Sequence, residues 1–168
     1  MKRQRNAPSQ DPAHEGRVIA SHGRHCVVET PAGEHVICHP RGKKNAVVVG
    51  DLVHWQVSGD EGVIDRVQER RNLLYRQDEI RTKMFAANID LVLVLVAAEP
   101  VFSEKQLTRA LIAAEAAHIQ PVIALNKSDL GESFAMAWAR LAPYEDMGYP
   151  VIPLGLEHAS EEELAPLR

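Results

Sequence analysis

Four consecutive residues in the second half of the chain have types and spacing that suit recognition of a purine base. Asn126-Lys127-Ser128-Asp129 follows the apolar run 122–125, which predicts a buried strand that ends at this tetrapeptide. Open α/β sheets bind ligands at the carboxyl ends of such strands. The Asp129 carboxylate can accept hydrogen bonds from N1–H and the exocyclic amino group of guanine, and adenine presents no such donor pair. The motif therefore predicts a guanine-binding turn.

The two residues beside Asp129 can take part in the same recognition. Asn126 can bridge the base edge and the neighbouring backbone, and the aliphatic stem of Lys127 can lie along the base plane. The alternative is a polar strand-to-helix turn in which Asp129 caps the helix. The strand context favours the first interpretation, so Asn126, Lys127 and Asp129 are the candidate guanine-binding residues.

A second motif that nucleotide hydrolysis needs is missing from the sequence. Phosphate groups are held by a loop of the form Gly-x-x-x-x-Gly-Lys-Ser/Thr, which usually lies well before Asn-Lys-x-Asp. None of the 10 glycines begins such a loop. Either the motif order is permuted, or the chain holds part of a site, or the guanine interpretation is wrong. We predict no catalytic residue within the chain.

Composition and charge indicate a folded cytoplasmic protein with an anionic partner for its first part. The chain has 168 residues, 45% of them hydrophobic, which can support a core. Residues 1–15 contain no apolar run of a secretory signal, and the run 91–98 is too short to span a bilayer. We therefore expect reduced cysteines and no membrane partner. Residues 1–50 carry a net charge of +4 and residues 51–168 a net charge of −8.

The first part of the chain predicts a small β-barrel. Five short runs rich in β-branched residues, separated by glycine-containing turns, lie within 16–67 and favour an OB-fold, a barrel type that often binds RNA. Trp55 is the only aromatic residue there besides histidine, so phosphate contacts are expected to outweigh base stacking. We assign 16–70 to an RNA-binding OB-fold domain. The candidate RNA-binding residues are Arg41, Lys43 and Lys44, with a solvated basic loop as the alternative.

Residues 1–15 are polar and basic, and we expect a disordered tail that is either solvated or a nucleic-acid-binding arm. Histidines and both cysteines cluster in the barrel region, which raises the question of a metal site. If a hairpin forms about Ala32, Cys26 faces Cys38, whereas His25 and His39 point to the other side of the sheet. A zinc site needs all four groups to converge. We therefore expect buried thiols, surface histidines and no metal.

The second part predicts an α/β half-sheet after a linker at 71–88. Strands are expected at 89–98, 121–125 and 149–154, joined by right-handed crossovers. The first is a nearly continuous apolar run, which predicts a buried parallel strand. Ser103-Glu-Lys-Gln106 is a capping box, and Leu107, Leu111 and Ala114 would line the inner face of the helix that follows. A second helix at 132–141 contains Met136 and Trp138, which we expect to pack in the core.

The order of these elements resembles the ribosome small-subunit-dependent GTPase A family, RsgA or YjeQ. A barrel is followed by the segment 81–90, Arg-Thr-Lys-x-x-Ala-Ala-Asn-Ile-Asp, then by a capped helix and Asn126-Lys-Ser-Asp129. The resemblance covers residues 16 to 168 and implies an OB-fold barrel followed by a partial, circularly permuted P-loop-type GTPase domain at 89–168. It places the phosphate loop, the switch residues and a zinc-binding domain beyond Arg168. Pro153-Leu-Gly-Leu156 stands where the family has its Ser-Ala-type base-backing motif.

The resemblance also implies what the parent protein does. A family member binds the 30S subunit and 16S rRNA late in subunit maturation, and it hydrolyses GTP with Mg²⁺ when the subunit stimulates it. We expect a cytoplasmic monomer. The alternative is that the chain by itself is a non-catalytic rRNA- or ribosome-binding module, because it lacks the phosphate loop.

Overall fold

The computed structural model describes residues 13–42, 47–77, 80 and 82–155. Two compact units divide the chain between Asn88 and Ile89. Most of the predicted 1–15 tail, residues 1–12, lies outside the described residues, and so do 156–168. Within the described helices, none is long and apolar enough to cross a membrane.

The first unit contains a closed five-stranded barrel. Its strand order is β1-β2-β3-β5-β4, with β3 and β5 parallel and the other neighbours antiparallel. This is the OB-fold arrangement predicted from the sequence, although β1 begins two residues earlier than expected. The strands are β1 (His14–Ser21), β2 (Cys26–Glu29), β3 (His35–Pro40), β4 (Leu52–Ser58) and β5 (Glu61–Val67).

The predicted hairpin register is confirmed: Cys26 pairs with Cys38, and both thiols are buried in the barrel. Successive side chains of a strand point to opposite faces of the sheet, so every second side chain of each strand points into this core. Gly62 is required there, because a Cβ atom would overlap the Cys38 sulfur and lie 2.8 Å from the Trp55 ring. The barrel core consists of Val18, Cys26, Val28, Cys38, Val53, Trp55 and Ile64.

Residues 71–88, which we expected to form a linker, contain a two-stranded antiparallel sheet instead. Its strands are β6 (Leu73–Gln77) and β7 (Thr82–Ala87). The segment has little apolar periodicity, so its strands were not predicted, and contacts distant in sequence hold it in place. Asn88 donates through Nδ2 to the Gly50 carbonyl at 2.9 Å, and its Oδ1 accepts from the Arg71 backbone N–H at 2.8 Å.

The second unit is an α/β element whose parallel sheet has the strand order β10-β9-β8. Its strands are β8 (Leu91–Ala97), β9 (Gln120–Asn126) and β10 (Val151–Pro153). The helices are α1 (Glu104–Ala116), α2 (Gly131–Ala139) and α3 (Ala142–Asp146). The predicted cap is confirmed, because the Ser103 side chain accepts a hydrogen bond from the Gln106 backbone N–H. The inner face of α1 is also confirmed, with Leu107, Leu111 and Ala114 buried.

Two packing predictions for this unit are wrong. Met136 is 60% exposed rather than in the core, although Trp138 does pack against the core residues. Strand β8 is not buried on both faces, because Leu91, Leu93 and Leu95 are exposed on one side. A continuous apolar run is typical of a strand that is covered on both faces. In β8 the described residues cover only one face, so the run led to the wrong prediction.

Candidate nucleotide-binding site

The Asn126–Asp129 turn lies at the carboxyl edge of the parallel sheet. Asn126 is the last residue of β9, and its carbonyl accepts a hydrogen bond from the Ala98 backbone N–H, just after β8, at 3.2 Å. On the other side, the Ser128 N–H donates to the carbonyl of Leu154, just after β10, at 3.0 Å. The chain segments that follow all three strands therefore meet at the turn, as expected for a ligand site in an open parallel sheet.

The backbone of the turn reverses sharply at Lys127. This residue has φ 70° and ψ 49°, a left-handed conformation that is uncommon for a residue other than glycine. A short 3₁₀ helix, Ser128–Leu130, follows, with the Leu130 N–H donating to the Lys127 carbonyl at 3.1 Å. Backbone strain of this kind is often found at functional sites. The Lys127 side chain is exposed.

The competing role of Asp129, a helix cap, is not used in the structure. Helix α2 begins at Gly131, its cap residue is Leu130, and no side chain accepts a hydrogen bond there. The Asp129 side chain is exposed. Among the described residues, no donor contacts its carboxylate within hydrogen-bond distance. Both carboxylate oxygens therefore face solvent, as recognition of N1–H and the amino group of guanine requires.

Two further contacts that were not predicted shape the surroundings of the turn. A Cβ atom on the buried Gly155 would lie 2.7 Å from Ser128 Oγ, so the backbone after β10 packs directly against the turn. Ser133 Oγ donates to Glu99 Oε1 at 2.6 Å, which joins the loop after β8 to the first turn of α2. Both contacts connect segments distant in sequence, so no local sequence pattern predicts them.

Comparison with known proteins identifies the family. A family model described as RsgA GTPase matches residues 67–167, more than half of the chain. The chain belongs to the RsgA GTPase family. The small ribosomal subunit biogenesis GTPase RsgA of Variovorax paradoxus (strain S110) is 66% identical over 154 residues, 92% of this chain and 48% of that protein. The protein of the same name from Burkholderia pseudomallei (strain K96243) is 47% identical over 178 residues, 99% of this chain and 56% of that protein.

Two solved structures have a similar fold. The crystal structure of YjeQ from Thermotoga maritima superposes with a TM-score of 0.66 at 26% identity, covering 86% of this chain and 52% of that one. YloQ, described as a circularly permuted GTPase, also has a TM-score of 0.66, at 28% identity, with 97% and 58% covered. The predicted fold class, an OB-type barrel followed by a partial, permuted GTPase domain, is thus confirmed. The chain spans about half the length of the curated relatives that it matches.

Of the three predicted RNA-binding residues of this RsgA-family chain, Arg41 is the one that lies among the described residues. Its guanidinium is largely exposed and lies 2.9 Å from Oδ1 of Asp65, which neutralises part of its charge. The Arg41 N–H donates to the Ile64 carbonyl because β3 and β5 run in parallel here. Lys43 and Lys44 lie outside the described residues. Sequence reasoning missed Asp65, since nothing local places it beside Arg41.

The two cysteines of the RsgA-type barrel are chemically protected. Burial raises the pKa of Cys26 to about 11, with a smaller contribution from Asp51, and it raises the pKa of Cys38 to about 12, with contributions from Cys26 and Glu61. Cys26 Sγ donates to the Cys38 carbonyl at 3.4 Å. No three or more His, Cys, Asp and Glu side chains within the described part of the chain are grouped so that they could hold a metal ion.

Proposed function

We propose that this chain supplies the guanine-recognition turn and the RNA-binding barrel of a GTPase that acts in small ribosomal subunit biogenesis. The observation that carries the proposal is the turn itself: an exposed Asp129 carboxylate, just after Asn126, at the edge where three parallel strands end. The names of the RsgA relatives support the same activity and the same ribosomal subunit.

In this proposal Asp129 accepts hydrogen bonds from guanine, Asn126 bridges the base and the backbone, and the Lys127 stem covers the base plane. The substrate is GTP, bound with Mg²⁺, and we assign no residue of this chain to the metal. The partners are the 30S subunit and its 16S rRNA, and the protein acts as a cytoplasmic monomer. Arg41, Lys43 and Lys44 contact rRNA phosphates, and the excess positive charge of residues 1–50 favours such a contact.

Base selectivity tests the guanine turn. Backbone amide NMR spectra of the chain, titrated with GDP and separately with ADP, should show shifts at 126–129 with GDP only. In the Asp129→Asn variant one acceptor becomes a donor, so the preference should move from GDP toward XDP by about tenfold or more. Glu132→Gln, an exposed acid one turn further along, is the matched control and should leave the preference unchanged. GDP selectivity that survives Asp129→Asn would remove Asp129 from the base site.

We expect that this chain alone does not hydrolyse GTP. Phosphoryl transfer needs groups that position the phosphates and Mg²⁺, and the sequence has no Gly-x-x-x-x-Gly-Lys-Ser/Thr loop. The purified 168-residue chain should release no phosphate from GTP, with or without 30S subunits. Subunit-stimulated turnover that persists through repurification would show that the phosphate site is built from residues we have not recognised.

Charge reversal tests the basic loop. Changing Arg41, Lys43 and Lys44 to Glu should weaken binding to 30S subunits and flatten its dependence on salt, since fewer counterions are released. Arg109→Glu, in helix α1 of the other unit, is the control for the general effect of charge. Unchanged affinity at moderate salt would mean that the loop is only solvated.

A further inference from the structure

Three imidazole rings form a row on the outside of the barrel. The ring centroids of His22 and His25 are 5.2 Å apart, with 37° between the ring planes. Those of His25 and His39 are 6.2 Å apart, with 58° between the planes. His22 and His25 lie in the segment between β1 and β2, with His25 immediately before β2, and His39 lies on β3. His22 is exposed, and the other two are partly exposed.

The barrel core fixes this row. Cys26 and Cys38 pair across β2 and β3 with both side chains inward, so the positions next to them, 25 just before β2 and 39 on β3, face outward. Hydrogen bonds then orient the ring of His39. Its Nδ1 lies 3.1 Å from the Arg24 carbonyl oxygen and its Nε2 lies 2.7 Å from Glu61 Oε2. The two contacts, one at each ring nitrogen, hold the plane of the ring in place.

The charges around the row suit an anionic ligand that also has flat apolar faces. Glu61 pairs with His39, and Asp65 pairs with Arg41, so these two acids are already engaged. The Arg24 side chain is exposed next to the row, and it has no ion pair with any other described residue. Ile37, two positions before His39 on β3, is 47% exposed and extends the same face with apolar surface.

We propose that His22, His25 and His39 form a stacking surface for the unpaired bases of single-stranded RNA, with Arg24 contacting the phosphate backbone. The row lies on the β1–β2 loop and the β2–β3 face, which OB-folds use to bind oligonucleotides. Histidine is one of the side chains on which splayed-out RNA bases stack. The bases of a duplex are already stacked on each other and are not available to these rings. This inference rests on the proposed RNA-binding function of the barrel and adds base stacking to the phosphate contacts expected from the sequence.

Fluorescence anisotropy with a labelled 12-nucleotide oligoadenylate measures the effect of each ring on the complete chain. His25→Ala and His39→Ala should each weaken binding by about fivefold or more, as removal of a stacking partner does. His25→Phe should restore binding, because phenylalanine keeps the flat face on which a base stacks. The matched control is His35→Ala, an exposed histidine on β3 that pairs with Glu29 outside the row, and it should have no effect.

The salt dependence separates the two kinds of contact. Arg24→Gln should reduce the slope of log affinity against log salt by about 1, and the histidine variants should leave it unchanged. A fully complementary RNA duplex should bind more weakly than the single strand. EDTA should have no effect, and a loss of binding with EDTA would instead identify a metal site and overturn the inference.

Two outcomes would overturn the inference in different ways. If oligoadenylate binds but His25→Ala and His39→Ala behave like His35→Ala, the stacking surface is refuted and RNA binding by the barrel still stands. If neither the single strand nor the 30S subunit binds the unaltered chain, the RNA-binding part of the proposed function fails, and the stacking surface fails with it. Trp55 fluorescence and circular dichroism report whether each variant retains the barrel.

Discussion

Asp51 and Arg70 form a two-point ion pair in which the carboxylate is completely buried. Arg70 Nε lies 2.7 Å from Oδ1 of Asp51, and Nη2 lies 2.9 Å from Oδ2. Asp51 also accepts a hydrogen bond from the Val48 N–H at 2.9 Å. The hydrogen bond to Asp51 raises the pKa of Arg70, against a smaller opposing effect of burial. The pair joins the start of β4 to the segment that leads into β6.

Loss of one partner of this pair should strongly destabilise the first unit. Arg70→Gln leaves the Asp51 carboxylate buried and unpaired, and the expected loss in the free energy of unfolding is about 3–5 kcal/mol. The double variant Asp51→Asn/Arg70→Gln should be less affected than the sum of the single changes. Urea denaturation followed by Trp55 fluorescence, in a Trp138→Phe background, measures the free energy of unfolding of each variant. Additive effects would show that the two side chains act independently.

Gly155→Ala should disturb the turn that contains Asp129, although position 155 is outside the motif. The added methyl group would meet Ser128 Oγ at 2.7 Å, and one of the two segments must move. We expect amide shifts at 127–129 in NMR spectra and a loss of about 1–3 kcal/mol in the stability of the second unit. Removing the hydroxyl group in Gly155→Ala/Ser128→Ala should recover most of both effects. If the double variant shows the same amide shifts and the same loss of stability as Gly155→Ala alone, the added methyl group does not clash with Ser128 Oγ.

The two barrel thiols predict a pH dependence of stability at alkaline pH. Their pKa values rise from 9.0 in the unfolded reference to about 11 and about 12, so the folded chain retains protons that the unfolded chain loses. The contribution is complete below pH 9 and declines as pH rises from there through 11 to 12. Barrel unfolding in a Trp138→Phe background should show this decline. Cys26→Ala/Cys38→Ala should weaken it, and an identical alkaline slope in the two proteins would contradict the assignment.

The two units should differ in protection from hydrogen exchange. The barrel strands close on themselves, whereas β8 leaves Leu91, Leu93 and Leu95 on a face that the described residues do not cover. Amides in 16–67 should therefore exchange slowly and those in 89–154 faster. Leu95→Thr, at a half-exposed position, should cost less stability than Leu125→Ala in the buried strand β9, for which about 2–5 kcal/mol is expected. Equal protection and a single melting transition would show that the half-sheet is complete as it stands.

The features that the sequence predicted correctly depend on residues close together in the chain. The Cys26–Cys38 register followed from a turn at Ala32, and the α1 cap followed from Ser103 and Gln106. The features that it missed join residues far apart: Arg70 with Asp51, Asn88 with Gly50, and Asp65 with Arg41. Each of these side chains is polar, and in the sequence it cannot be distinguished from a solvent-exposed polar residue. Its partner is brought near only by the fold.

The Cys26–Cys38 register has a consequence for how this barrel can vary. Side chains on a strand alternate between its two faces, so a shift of β2 against β3 by one residue would turn Cys26 toward water and direct His25 into the interior. The barrel therefore cannot lose its histidine row gradually through a slipped strand, because the same slip would remove Cys26 and Val28 from the core. A substitution at 25 or 39 can change what the outer face binds while the inner packing is preserved, and this separation leaves the surface free to diverge on a constant scaffold.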